Sequence, residues 1–231
     1  MSSVKALAVV LLSNSIIIAA AVARGISKAQ KPGLYFGEGR FTMIFSCLQL
    51  LAVGVLSFAI FQARRAHSSD RGWFAPQNLW FLIGLGFLFL TADELFQIHE
   101  KMDQIFHGVF RIAETDVTTM MDDFIIGGYM LVGVATLWFF RGEMKHFRVM
   151  LLPLVCGFVC GGFSVVCDAL AHHESYFQAL GADERLAAIL VQWADVGDGA
   201  FTLLAEGCFV VAFFVGWRQL QSLGGAQLSP A

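Results

Sequence analysis

Six apolar runs separated by short polar stretches set the rhythm of the chain. They cover 6-23, 41-63, 74-98, 124-140, 149-170 and 199-217. A helix crossing a bilayer needs about 20 mostly apolar residues, and each run approaches or exceeds that length. Charges mark the ends: Arg64-Arg65 stops the second run, Asp122-Asp123 opens the fourth and Arg141 closes it. Between the fifth and sixth runs, Leu186, Ile189, Leu190 and Trp193 recur at helical spacing. This predicts a short amphipathic helix at the interface, followed by a break at which Asp198 caps the last span. The expected fold is all-α, a six-transmembrane-helix bundle forming one domain over 1-231. The first run ends in Ala21-Val22-Ala23, which resembles a signal-peptide cleavage site, but it is long for such a segment and is expected to be retained.

Composition agrees with a lipid-facing chain. It is 57% hydrophobic and 14% charged, against roughly 25% charged in a soluble domain, and its mean hydropathy is +0.68. The net charge of -3 and the absence of a basic tract exclude nucleic acid as a partner. Five cysteines, Cys47, Cys156, Cys160, Cys167 and Cys208, all fall inside apolar runs and read as packing residues. The expected location is a multi-pass position in a bacterial-type inner membrane. Lys and Arg orient it weakly, dividing eight to seven between the sides. The three basic residues in each of the short second and fourth loops point the termini to the cytoplasm.

The acids sort more sharply. In a six-span topology only Asp70 and Glu143 lie on the side of the termini, and the other sixteen lie opposite with four of the six histidines. There the ends of the third to sixth helices bring Asp93/Glu94, Asp122/Asp123, Asp168/His172 and Asp195/Asp198 towards one another.

The densest chemistry is Thr91-Ala-Asp-Glu-Leu-Phe-Gln-Ile-His-Glu, where Asp93, Glu94, His99 and Glu100 leave the third apolar run. On a continuing helix Asp93, Gln97, Glu100 and His107 share one stripe. Ser164, Asp168 and His172, spaced four apart, form a second stripe on the fifth helix, and residues four apart can meet one ion. Asp122 and Asp123 suit the positive end of the fourth helix dipole. Glu206 lies two turns inside an apolar helix and requires a proton or a partner.

A mixed Asp/Glu/His set suits a divalent metal of the zinc, iron or manganese kind. His99, Asp168 and His172 are the expected ligands, with Asp93, Glu94 and Ser164 as catalytic groups. Glu100, Asp122, Asp123 and Glu206 complete the polar cluster. No HExxH, GxSxG or P-loop motif occurs. The serine, aspartate and histidine near one membrane face resemble those of membrane-embedded zinc amidases of the alkaline ceramidase type. That family's paired histidines four apart and its seventh helix have no counterpart here. The expected function is metal-dependent hydrolysis of a lipid-like substrate. The alternatives are a non-catalytic subunit docking onto a membrane-protein partner or a second copy, and a proton- or cation-coupled transporter.

Overall fold

The computed structural model describes residues 3–29, 31–37, 39–68, 70–98, 101–102 and 121–227. Among them every regular element is helical. The helices are α1 Ser3–Ala29, α2 Phe41–Ala66, α3 Asn78–Phe96, α4 Met121–Phe139, α5 Arg141–Met144, α6 Arg148–Ala171, α7 Glu174–Ala179 and α8 Glu184–Gln227, with a 3-10 turn at Lys145–Phe147. Long apolar runs with few helix breakers account for the length of α1, α2, α6 and α8. Five stretches are long and apolar enough to cross a membrane: Val4–Lys28, Phe41–Ala66, Asn78–Phe96, Arg141–Ala171 and Glu184–Ser222. The expected fourth span, 124-140, corresponds to α4, whose described apolar portion is the shorter Gly127–Phe139.

The longest helix, α8, is the axis of the assembly. It packs along α6 and also against α2 and α1, while α2 pairs with α3. Close approach of α6 and α8 depends on glycine. A Cβ at Gly157 would meet the Phe209 ring, and one at Gly197 would meet the Cys167 sulfur. The core at one end is aromatic, with Trp80, Phe147 and Phe213 fully buried. Trp80 meets Phe147 edge-on at 4.6 Å between centroids and Phe213 at 6.0 Å.

The distribution of polarity is inverted relative to a water-soluble bundle. Val9, Leu12 and Ile16 of α1 and Ile44, Leu48, Leu51 and Val55 of α2 point outward. Asn14, Ser46, Gln49, Ser57, Asp93 and Glu206 are buried. In water that arrangement would expose oil and desolvate amides and carboxyls at a cost of kcal/mol each.

Two expectations need correction. The amphipathic segment between the fifth and sixth runs is not a separate helix, because α8 runs unbroken for 44 residues. Asp198 therefore sits inside a helix and does not cap one. Its carboxylate and the glycines around it are accommodated by α6 and by the 31–37 loop, so the chain has no reason to break there. The stripe expected to run from Asp93 to His107 is also interrupted. Helix α3 ends at Phe96, and Gln97 takes a left-handed conformation (φ 52°) with its amide donating to the Asp93 carbonyl.

Candidate functional site

One face of α8 carries Asp195, Asp198, Thr202 and Glu206, at intervals of three, four and four residues, which aligns them along the axis. Asp195 meets the 31–37 loop, Asp198 and Thr202 meet Ser164 of α6, and Glu206 meets α2, and together they make a polar seam from the end of the bundle into its interior.

Glu206 is the deepest member, 5% exposed. Ser46 of α2 donates its hydroxyl to Oε1 at 2.6 Å, and the Gln49 amide donates to Oε2 at 3.4 Å. Ser46 and Gln49 are three apart on α2 and so share the face turned to α8. Asn14 of α1, fully buried, donates its amide to the Leu203 carbonyl at 2.8 Å. A Cβ at Gly207 would collide with the Asn14 amide and crowd the Gln49 oxygen, so three helices meet at this point because residue 207 has no side chain.

One turn outward, Ser164 of α6 donates to the Asp198 carboxylate and shares a 2.7 Å hydrogen bond with the Thr202 hydroxyl. The expected stripe of Ser164, Asp168 and His172 is thus divided. Ser164 belongs to the α6–α8 contact, while Asp168 and His172 face a cleft beyond it. His172 Nδ1 lies 3.0 Å from the Asp168 carbonyl and 3.5 Å from its Oδ1.

The cleft, about 420 Å³, is lined by Lys31, Gly33, Leu34, Asp168, Ala171, His172, Val191, Gln192 and Asp195. The 31–37 loop closes one side of it. Gly33 lies flush against the Asp195 carboxylate, where any Cβ would occupy the same space, and Gly199 lies against the Phe36 ring. Asp198 is within electrostatic reach of Asp168, Asp195 and Glu94, and Glu94 also reaches Glu206. The C-terminal ends of α3 and α6 therefore converge on the middle of α8. Asp93, 5% exposed, lies near Tyr129 of α4, whose hydroxyl is buried with no hydrogen-bond partner.

His99 and Glu100 lie outside the described residues, and so do the side chains of Asp122 and Asp123, which occupy the first turn of α4. Among the described residues no group of three or more His, Cys, Asp or Glu side chains is close enough to hold a metal ion. Of the three expected ligands the described residues bring together Asp168 and His172.

Several buried polar positions escaped sequence reading. Ser46 and Gln49 are isolated polar residues in one apolar run, and Asn14 sits between two serines in another. At the opposite end Glu143, 2% exposed, accepts bonds from Arg64 Nε (2.7 Å), Arg64 Nη2 (2.8 Å) and the Trp80 indole (3.0 Å). This bidentate pair ties α2, α3 and α5 together, and the separation of 79 residues between its partners hid it.

No curated protein and no solved structure matches the chain. One family model does, over residues 4–221. That match spans nearly the whole sequence, so the chain belongs to the family described as Domain of unknown function (DUF8692).

Proposed function

We propose that this is a six-span integral membrane protein, with α4 as the fourth span and both termini cytoplasmic, that hydrolyses a lipid-like substrate with the help of a divalent metal. The membrane reading rests on five helices of spanning length and on apolar side chains outside with amides and carboxyls inside. The observation that carries the catalytic reading is the cleft at the bundle end. It gathers a carboxylate–imidazole pair, a second carboxylate and a lysine beside apolar Leu34, Ala171 and Val191. A substrate with a polar head and an apolar body suits such a lining.

Asp168 and His172 would hold the ion with His99. The ion would polarise a carbonyl or phosphoryl oxygen and activate water. Glu94 or Asp93 would take the proton, and Asp198 would orient the Ser164 hydroxyl. Transport is the weaker reading because the polar seam stops at Glu206. Beyond it Phe87 meets Phe209 and Phe213 edge-on at 5.6 and 5.9 Å between centroids, an apolar seal.

Element analysis of purified wild type, Asp168→Asn, His172→Ala and His99→Ala tests the proposal. One zinc, iron or manganese per wild-type chain, lost in His172→Ala and His99→Ala, is the expected result. Equal metal content in all four proteins, or none in any, refutes it.

A further inference from the structure

The polar pocket around Glu206 lies outside the hydrolytic cleft and takes no part in the reaction proposed there. Its residues are Asn14, Ser46, Gln49 and Glu206, contributed by α1, α2 and α8, and all four are buried. Both carboxyl oxygens of Glu206 act as acceptors, Oε1 from Ser46 and Oε2 from Gln49. Both of these bonds are received by Glu206 from uncharged donors. No lysine, arginine or histidine among the described residues forms an ion pair with it, and the electrostatic neighbour that bears on it is Glu94, another acid. A buried carboxyl without a countercharge is neutralised by a proton or compensated by a bound cation.

Asn14 supplies the second observation. Its amide nitrogen is committed to the Leu203 carbonyl, which fixes the orientation of the group, and its Oδ1 is fully buried with no donor. The Asn14 and Gln49 amides both come up against Gly207, the residue next to Glu206. An amide oxygen without a donor, a second amide oxygen, a hydroxyl and a single carboxylate are all hard oxygen donors. One negative charge is too little for calcium or magnesium, which recruit several carboxylates or retain water. We propose that Asn14, Ser46, Gln49 and Glu206 form a buried binding site for a single monovalent alkali cation, of sodium type, which supplies the missing countercharge. The cation would join α1 and α2 to α8 at the inner end of the polar seam.

The test uses the full chain purified in detergent, and the probes are sodium, potassium, lithium and choline chlorides at matched ionic strength. The melting temperature of the wild type is expected to rise saturably with sodium and not with choline, as mass action requires for an ion that binds the folded state. Radioactive sodium is expected to be retained at one ion per chain. Ser46→Ala is expected to raise the half-saturating concentration about tenfold, the loss of one bond to a charged group, and Glu206→Gln to abolish the response. If Glu206→Gln does not fold, sodium retention by wild type and Ser46→Ala decides. An unchanged affinity in Ser46→Ala overturns the proposal. So does a sodium response that persists in Glu206→Gln, or a wild type that retains no ion and melts identically in all four salts. A wild type that responds only to pH also overturns it and assigns the countercharge to a proton. Glu94 and Cys47 are the other titratable groups near Glu206, so that pH arm is repeated in Glu94→Gln and Cys47→Ala.

Discussion

Replacing Arg64 by alanine removes two of the three donors that hold Glu143. The Glu143 carboxylate, 2% exposed in the intact protein, then keeps only the Trp80 indole as a donor. Breaking a buried pair in this way costs about 3–5 kcal/mol, most of it from the charge left behind. The Arg64 side chain is 31% exposed, so the reverse truncation is milder. In Glu143→Gln the guanidinium turns to solvent, and the loss falls to about 1–3 kcal/mol. The double variant Arg64→Ala/Glu143→Gln should then be more stable than Arg64→Ala alone, with a coupling energy of about 0.5–3 kcal/mol. Reversible unfolding in mixed micelles titrated with SDS measures all four proteins. If Arg64→Ala unfolds within about 1 kcal/mol of wild type, or is milder than Glu143→Gln, Glu143 is hydrated and the argument from burial fails.

Two further outcomes use the same unfolding assay. Gly157→Ala places a methyl group 2.5 Å from the Phe209 ring and should cost about 1–3 kcal/mol by overpacking, whereas Gly86→Ala, with nothing within 4 Å of the new carbon, should be neutral or slightly stabilising. Equal effects would mean that α6 and α8 do not approach as described. Ser164→Ala leaves Asp198 without its α6 donor and Thr202 without its partner. It should destabilise by about 1–3 kcal/mol, and a neutral result would place water at that contact.

The helical class and most of the long helices were legible because helices long and apolar enough to cross a membrane require long uninterrupted apolar runs, and the sequence displays them directly. Helix continuity was not. Asp195-Val-Gly-Asp-Gly carries local marks of a break, yet α8 passes through it, because Ser164 satisfies the acid and Phe36 fills the space beside the glycine. Local propensity yields to tertiary partners that a single sequence does not reveal. The acids at one end were likewise legible as a group, but their pairings were not. Spacing joined Ser164 to Asp168 on one helix, while the fold joins it to Asp198 on another. Glu143 is one of two acids on the sparse side, and nothing in the sequence points from position 143 to position 64.

A helix of 44 residues measures about 66 Å at 1.5 Å per residue, roughly twice the 30 Å hydrocarbon core. In the six-span arrangement proposed above, which puts Glu206 inside the bilayer, the Glu184 end of α8 would stand well clear of it as a stiff mast. Val191, Gln192 and Asp195, which line the cleft, ride on that mast, and Glu206 is fixed to the same rod further down. A sideways push on the outer end therefore does not dissipate in a flexible joint. It pivots the rod, shifting the cleft wall and the buried carboxyl by amounts set by leverage. A partner or a membrane deformation acting far from the chemistry has in α8 a mechanical handle on both sites at once.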